Sequence, residues 1–308
     1  MTYTYIGVDL SKDWLDVVHP IKGHSRVANT DRSIRAWLGQ LEPQAFVVFE
    51  ATSLCDQRLM RHASALGQAY FRLNPLHAWH FGQSLNLPKT DRVDAAMLAR
   101  LGMERALTPA PAYAAHRAEL AELNARRDQL KRMQTQEKNR LSKTVFPGVR
   151  SDIREVLRVL GRHVDKIEAQ INEFIAQHPD LRTKLALLES IPGIGRVASV
   201  TLLSTMPELG QADRRAVASL GGVAPKARES GKWRGRRTIG AGRRHVRRVL
   251  YMAGLSVLSH GTLATSLVRR LRDKGKAGKV IIIALARKIL TLANAVLRDQ
   301  TPFKIQCN

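Results

Sequence analysis

The six residues Ala45–Glu50 form a continuous apolar run that ends on an acid. A run without polar alternation is typical of a strand that is buried on both faces of a sheet. Such a strand needs covering layers above and below it, and strand and helix patterns alternate along the chain up to about residue 105. We therefore predict an α/β domain, which we place at residues 1–110.

The same domain contains several further predicted elements. The strands that we predict in addition are Tyr3–Asp9, Trp14–Val18, Ser25–Asn29 and Ala69–Leu73. Helices are predicted from a cap at Thr30 or Asp31 to Leu41, over Asp56–Leu66, and from a cap at Thr90 to about Gly102. A small hydroxyl or carboxyl side chain before a helix is the usual signal for its first turn.

Residues 111–184 have a different pattern and are predicted to form a helical coiled-coil linker. From Ile153 to Phe174 the apolar residues are spaced alternately by four and three positions, which is the seam of a coiled coil. A looser seam covers Ala118–Val145, and Pro147 and Gly148 separate the two. The pattern fits either an antiparallel helical hairpin or a dimerising coiled coil, and its charged outer faces need no role beyond solubility.

Residues 185–308 are predicted to form a mostly helical C-terminal domain, and most of the positive charge lies there. The chain of 308 residues has a net charge of +24, of which +2 belongs to residues 1–110, +5 to residues 111–184 and +17 to residues 185–308. A hydrophobic content of 44% provides a real core, so a disordered polycation is excluded. The leading partner is nucleic acid, with an anionic membrane surface as the alternative.

Cysteine usage and apolar segments narrow the cellular setting. The only two cysteines, Cys55 and Cys307, are far apart, which excludes a disulfide scaffold and a cysteine-based zinc site. The first nine residues lack the pattern of a signal peptide. The apolar stretch Val280–Ala286 stops at Arg287 and is too short to cross a bilayer. We expect a protein of the cytoplasm with no membrane partner.

Four acids of the N-terminal domain are candidates for a metal site. Asp9 and Glu50 each end an apolar strand, and Asp91 and Asp94 share one face of a helix. Neighbouring strand ends meet at one edge of a sheet, and a helix over that edge would bring all four together. Four close carboxylates need cations, and oxygen ligands favour Mg²⁺ or Mn²⁺. Other acids, Asp13, Asp16 and Asp56, are interpreted as turn or cap residues.

A glycine-containing turn precedes a predicted helix in the C-terminal domain. In the sequence Ile191-Pro192-Gly193-Ile194-Gly195, the two glycines permit a tight hairpin and leave backbone N–H groups facing outward at the helix start. This is the helix-hairpin-helix arrangement, which contacts the DNA backbone independently of sequence. The alternative is a plain turn between two helices. We take Gly193 and Gly195 as candidate nucleic-acid contacts.

A basic segment follows, and it contains Ser230. We predict a loop or short hairpin over Lys226–Gly240 and a helix over Arg243–Leu258. Considered alone, a serine among cations is most often a hydrogen-bonding partner of phosphate. The candidate phosphate contacts of the segment are Arg228, Lys232, Arg234, Arg236, Arg237, Arg243, Arg244, Arg247 and Arg248. His245 is either a proton acceptor or a further phosphate contact.

Five motifs occur in an order that resembles a known family. They are Gly7-Val8-Asp9-Leu10-Ser11-Lys12, Phe49-Glu50-Ala51-Thr52, Lys89-Thr90-Asp91-Arg92-Val93-Asp94-Ala95, the turn Ile191–Gly195, and Ser230-Gly231-Lys232-Trp233-Arg234-Gly235. Together they resemble the DEDD/serine transposases of the insertion-sequence one-ten family, which includes the Piv and MooV invertases. The resemblance spans nearly the whole chain.

The resemblance implies a RuvC-like, RNase H-type N-terminal domain in which Asp9, Glu50, Asp91 and Asp94 bind metal. It implies a C-terminal transposase domain with Ser230 as the nucleophile, which forms a transient phosphoserine link to DNA. It also implies donor and target DNA as substrates, a structured bridge RNA as the guide, and a homo-oligomer, dimer or tetramer, with a composite active site. The setting would be the prokaryotic cytoplasm, at the nucleoid.

Two other functions fit the residues without this resemblance. One is a RuvC-like metal-dependent nuclease or resolvase that cuts by attack of water, with Ser230 only a phosphate contact. The other is a nucleic-acid-binding protein without enzymatic activity. Replacement of Ser230 or Asp9 separates the three functions. Only the transposase needs the serine, whereas both the transposase and the nuclease need the acid.

Overall fold

The computed structural model describes residues 3–52, 55–86, 90–110, 115–226, 229–230, 233–235, 237–261 and 263–304. The chain divides into two compact units, residues 1–115 and residues 116–308. The units are described separately below. The division into three domains at residues 110 and 184 remains a prediction.

Strands and helices alternate in the described part of the first unit. The strands are β1 (Thr4–Leu10), β2 (Trp14–His19), β3 (Gly23–Ala28), β4 (Ala45–Glu50) and β5 (Ala69–Leu73). The helices are α1 (Asp31–Leu38), α2 (Gln57–Ala65), α3 (Pro75–Leu85) and α4 (Asp91–Arg105). The prediction of an α/β domain is confirmed.

The five strands form one mixed sheet in the order β3-β2-β1-β4-β5. Strands β1, β2 and β3 are antiparallel neighbours, whereas β4 is parallel to both β1 and β5. The apolar run predicted to be a central strand is β4, and its residues 45–49 are all buried. Val8 pairs with Phe49, so the acids that follow them, Asp9 and Glu50, leave neighbouring strands at the same edge.

Helices cover both faces of the sheet. Helices α1 and α2 pack on the face that carries Ile6 and Val8, and helices α3 and α4 pack on the face that carries Phe46 and Val48. Helix α3 was not predicted, because only Ala78 and Phe81 of its eleven residues are fully buried and no stripe is visible in the sequence. Its start is nevertheless locally encoded: the Asn74 side chain accepts a hydrogen bond from the Leu76 N–H at 2.9 Å.

The second unit is mostly helical where it is described, as predicted. Its helices are α5 (Ala115–Lys143), α6 (Pro147–Gln177), α7 (Pro179–Glu189), α8 (Arg196–Thr205), α9 (Arg214–Leu220), α10 (Arg244–His260), α11 (Thr265–Asp273) and α12 (Gly278–Asp299). Its short strands are β6 (Pro225–Lys226), β7 (Glu229–Ser230), β8 (Trp233–Arg234) and β9 (Thr238–Ile239). Helix α5 begins one residue before the division between the units.

Helices α5 and α6 form an antiparallel hairpin, which is one of the two arrangements that the apolar spacing allowed. Arg127 of α5 donates a hydrogen bond to Glu168 of α6 at 2.7 Å, whereas Arg150 near the start of α6 bonds the Leu141 carbonyl near the end of α5. The seam between the two helices contains Leu130, Leu160 and Val164. The start of α5 and the end of α6 pack into the core formed by helices α7, α8, α10 and α12. Pro147 is the first residue of α6 rather than a separator, because the missing N–H of proline is tolerated at that position.

Helix α12 is the one helix of the described residues that is long and apolar enough to cross a membrane by length and composition. The apolar stretch is therefore longer than Val280–Ala286 indicated. More than half of its most apolar window is buried inside the unit, and Leu285, Ile289 and Leu290 have no exposed surface. Helix α12 is a core helix of the second unit.

Candidate active site

Helix α4 lies directly on β1 because two glycines leave room for it. A Cβ atom on Gly7 would lie 1.8 Å from the carbonyl oxygen of Ala95, and one on Gly102 would lie 2.6 Å from the ring of Tyr5. The helix thus runs antiparallel to the strand, with its first turn over the carboxyl end of β1. The Thr90 hydroxyl caps that first turn and accepts a hydrogen bond from the Val93 N–H.

This packing brings Asp91 and Asp94 close to Asp9. Burial of the Asp9 carboxyl, together with the negative charges of Asp94 and Asp91, raises the pKa of Asp9 to about 6. Glu50 lies on the same face of the sheet, because the alternate residues of its strand, Phe46 and Val48, pack toward α3 and α4. All four predicted acids are therefore on one face of the sheet, at one edge.

Asp16 is an acid whose position was interpreted wrongly from the sequence. It is neither a turn residue nor a cap: it lies inside β2, pairs across the strands with Asp9 and is buried. Arg26 donates two hydrogen bonds to it, at 3.1 and 3.0 Å, and His24 lies 2.8 Å from it. The Arg26 guanidinium also lies 3.9 Å from Asp91, so it links the buried acid to the acidic site.

Asp56 is at the N-cap position of α2, as predicted, but its side chain makes no capping bond. The carboxylate is fully buried and accepts hydrogen bonds from the Thr52 N–H at 3.2 Å and from the Arg72 guanidinium at 2.7 Å. It therefore fixes the backbone just beyond Glu50 to strand β5. The cross-strand partner Arg72 is sixteen residues away, so no local pattern revealed this role.

The acidic site fits a divalent cation in its chemistry. Its donors are carboxylate oxygens, which Mg²⁺ and Mn²⁺ prefer. Burial is the largest cause of the raised pKa of Asp9, and a cation would relieve the further repulsion from Asp94 and Asp91. Across the residues that the structure describes, no group of three or more His, Cys, Asp or Glu side chains is placed to hold a metal ion. Binding would thus require the acids to draw closer together.

Ser230 lies in a small paired segment of the second unit. Strand β6 pairs with β9, and between them β7 pairs with β8 so that Ser230 is opposite Trp233. The predicted loop or short hairpin is thus a hairpin with two short ladders. The side chains of Ser230 and Arg234, and all of Arg228, Lys232 and Arg236, lie outside the described residues.

The base of this hairpin is closed by two glycines and an arginine. Gly222 and Gly242 both have positive φ, of 68° and 65°, and a Cβ atom on Gly242 would lie 2.5 Å from the Gly222 nitrogen. The Arg247 guanidinium donates a hydrogen bond to the Ala241 carbonyl at 2.7 Å. The hairpin that carries Ser230 therefore leaves the helical core from a close-packed base.

Several of the predicted phosphate contacts have intramolecular partners. Arg243 donates two hydrogen bonds of 2.7 Å to Glu208, and Arg248 pairs with Asp128. Arg237 and Arg244 are exposed. Desolvation of the His245 ring and the nearby charge of Arg243 lower the pKa of that histidine, which favours its neutral form. Contact of these residues with nucleic acid remains a prediction.

The two glycines of the turn have different surroundings. A Cβ atom on Gly193 would lie 2.6 Å from the Val257 side chain, so this glycine lets the turn pack against α10. Gly195 is the N-cap of α8, and a Cβ atom there would meet nothing within 4 Å. Ile191 and Ile194 anchor the turn in the core. Packing explains Gly193 but leaves open space at Gly195.

Comparisons with known proteins define the class of this protein. Residues 6–146 match the profile of the DEDD transposases of the IS110 type, and residues 185–269 match the profile described as "Transposase IS116/IS110/IS902 family". The chain belongs to the IS110/IS116 family of transposases. It is therefore a transposase or recombinase with DNA as its substrate, in a class that typically depends on divalent metal.

Particular relatives agree with this assignment. The chain is 28% identical to the pilin gene-inverting protein of Moraxella bovis over 98% of both chains, and a second such protein, from Moraxella lacunata, is similar to the same extent. An insertion element IS110 protein of Streptomyces coelicolor is 28% identical over 44% of this chain and 33% of its own length. The similarity to the gene-inverting proteins thus extends across both units.

Proposed function

We propose that this transposase cleaves and exchanges DNA strands with Ser230 as the nucleophile and with divalent metal held by Asp9, Glu50, Asp91 and Asp94. The observation that carries the proposal is the close packing of α4 on β1 at Gly7, which brings Asp91 and Asp94 near Asp9. Burial of Asp9 and the charges of Asp94 and Asp91 raise its pKa to about 6. Carboxylates gathered at one strand end, one of them with a raised pKa, are typical of sites for metal-dependent phosphoryl transfer. The RuvC-like, RNase H-type architecture is part of the proposal, and the mixed sheet supports it.

In the proposed reaction the hydroxyl oxygen of Ser230 bonds to phosphorus, and the bond from phosphorus to one bridging DNA oxygen breaks. A proton moves to the leaving oxygen, so the DNA is left as a phosphoserine adduct and a free hydroxyl. In the second step the hydroxyl of another strand end bonds to the same phosphorus, the bond from phosphorus to the Ser230 oxygen breaks, and the serine takes back a proton. Bound divalent metal would supply charge neutralisation at the scissile phosphate. His245 is the candidate acceptor for the serine proton, since its lowered pKa favours the neutral ring.

Guidance and assembly belong to the same proposal. We infer a structured bridge RNA that selects donor and target DNA by base pairing, since the cations of the second unit suit backbone rather than base contacts. We also infer a homo-oligomer, a dimer or tetramer, in which the acidic site of one protomer is completed by the serine of another. The setting proposed is the cytoplasm, at the nucleoid.

The test is recombination of donor and target plasmids with the flanking RNA supplied. We expect Ser230→Ala to abolish both strand exchange and the covalent protein–DNA adduct seen on a denaturing gel. The control is Ser259→Ala, which removes an exposed hydroxyl from α10 and should leave both intact. Omission of the RNA should stop exchange in the wild type.

Each other outcome points to one of the alternatives. If Ser230→Ala still cuts and Asp9→Ala does not, the protein is a nuclease or resolvase that uses water. If neither change affects anything but binding, the enzymatic proposal is wrong. Full strand exchange without RNA would overturn the proposal of an RNA guide and leave the proposal for Ser230 and the acids standing.

A further inference from the structure

An open groove of about 790 Å³ lies within the second unit, bordered by α5, by α10 and by the turn before α8. We call it the α5–α10 groove. Five basic residues line it, namely Arg127, Lys131, Arg132, Arg196 and Arg248, against a single acid, Asp128. The linker helix, whose charged face was assigned no role from the sequence, contributes three of the five. The groove therefore joins the linker to the glycine turn in one basic surface.

The acid of the groove offsets only part of its positive charge. Asp128 is buried at the side of the groove, where it pairs with Arg248 and lies 3.7 Å from Arg127. Lys131 and Arg132, by contrast, are exposed, and neither forms an ion pair within the residues that the structure describes. Two cations thus remain available for a polyanion.

The third side of the groove is open at the glycine turn. Gly195 lines the groove, and a Cβ atom there would meet nothing within 4 Å. In the part of the chain that the structure describes, no side chain caps the backbone N–H groups of the α8 first turn, and Val197 beside them is partly exposed. A polynucleotide backbone could approach this main chain closely, in addition to the cations of α5.

The lining favours a duplex over a single strand. Among the residues that the structure describes, none that lines the groove is aromatic, whereas proteins that bind single strands stack bases on aromatic rings. Its volume lies in the range of small-ligand pockets, about 300–1,000 Å³, so it admits a short stretch of one backbone rather than a whole helix. Contacts of this kind position a duplex and carry no sequence information.

We propose that the α5–α10 groove binds the phosphate backbone of double-stranded DNA, with Lys131 and Arg132 of the linker helix as its phosphate contacts. The inference rests on the proposed function only in that this transposase handles duplex DNA. It assigns the linker a direct part in substrate binding, beyond its helical packing.

The test measures binding of the full-length protein to a short duplex at several salt concentrations, without divalent ion or flanking RNA. Each lost phosphate contact lowers the slope of log affinity against log salt by about 0.9. We expect the Lys131→Ala/Arg132→Ala variant to lower that slope by about 1.8. The matched control is Lys138→Ala/Lys143→Ala, which removes two exposed lysines of the same helix outside the groove and should leave the slope nearer the wild-type value.

Three results would overturn the proposal. They are equal slopes for the two double variants, a slope unchanged from the wild type, or weaker binding of the bridge RNA with duplex binding intact. Thermal unfolding of each variant excludes misfolding as the cause, since all four side chains are exposed. The binding assay does not require cleavage, so failure of the groove leaves the Ser230 proposal standing and failure of Ser230 leaves the groove standing.

Discussion

Gly7 of β1 and Ala95 of α4 are so close that a Cβ atom on Gly7 would lie 1.8 Å from the Ala95 carbonyl oxygen. A helix and a strand in such contact cannot accommodate even a methyl group without moving apart. The distance between the acids on α4 and Asp9 near the end of β1 therefore depends on Gly7, as it does on Gly102 at the other end of the contact.

We expect Gly7→Ala to destabilise the protein by about 1–3 kcal/mol, because the added methyl group overpacks the interface of α4 with β1. The rate of strand cleavage should fall even where the protein stays folded, since displacement of α4 moves Asp91 and Asp94 away from Asp9. Urea unfolding and the recombination assay measure the two effects. Gly148→Ala is the control, as nothing lies within 4 Å of a Cβ atom there. Equal stability of the two variants would contradict the packing argument.

The raised pKa of Asp9 predicts a pH dependence of stability in the absence of metal. The folded-state value of about 6 lies above the ordinary 3.8, so the folded protein binds the proton more tightly than the unfolded chain does. Stability should therefore fall as pH rises from about 4 through about 6. At pH 8, Asp9→Asn should be more stable than the wild type by roughly 1 kcal/mol, allowing for solvent screening, while losing cleavage.

Unfolding of both proteins in urea across this pH range measures the effect. Asp13→Asn is the control, because it neutralises an exposed acid of the adjacent turn and should retain the wild-type pH dependence. If the free energy of unfolding of Asp9→Asn depends on pH as that of the wild type does, the pKa of Asp9 is not raised in the folded protein.

Divalent ions should stabilise the first unit through the same acids. At a concentration of Mg²⁺ or Mn²⁺ about 100 times the dissociation constant, binding to the folded state adds about 2.7 kcal/mol. We expect Tm of the wild type to rise on titration at pH 8 and that of Asp9→Asn to change little. NaCl at matched ionic strength controls for screening. An equal rise in both proteins would place the ion elsewhere.

The Glu208–Arg243 pair should support the base of the serine hairpin. Burial acts to raise the pKa of Glu208, but the hydrogen bonds and charge of Arg243, together with a backbone hydrogen bond and the charge of Arg117, lower that pKa overall. A lowered carboxyl pKa contributes stability above the ordinary 4.5 that is lost as pH falls through the folded-state value. Glu208→Gln should therefore cost about 1–3 kcal/mol at pH 7 and lose less on acidification.

Unfolding at pH 7 and at pH 3 checks this expectation. Glu104→Gln is the comparison, because Glu104 pairs with Arg100 on an exposed helix face, where such pairs contribute about 0–1 kcal/mol. If both substitutions have the same small effect at pH 7, the partly buried Glu208–Arg243 pair is not a support of the hairpin.

Local signals predicted much of the fold and the acids of the site. The bounds of β4 and β5 agree with the predicted ones, because a short and mostly apolar run is a local signal that needs no distant partner. Asp9 and Glu50 were predicted to lie at one edge because parallel strands end together, and they do. Helix α3 was not predicted from the sequence, because its two buried residues are too few to produce a recognisable helical periodicity.

Partners distant in sequence were not predicted. The role of Asp16 depends on Arg26 one strand away, that of Arg243 on Glu208, and that of Arg248 on Asp128, which is 120 residues earlier. From the sequence, Arg243 and Arg248 were interpreted as phosphate contacts because of their charge, and Arg26 was given no role. Charge along a sequence does not reveal which acid faces it after folding.

By itself, the sequence determined the class of fold and the family, because periodicity, caps and ordered motifs are local properties. The acids proposed to hold metal and the serine proposed to attack phosphate are predictions from the same motifs. Only the tertiary structure decided which charges neutralise one another and which remain for a ligand. It placed Lys131 and Arg132 of the linker beside the glycine turn and paired Arg243 internally. The physical reason is that electrostatic energy depends on distance through space and on burial, and both arise only when the chain packs.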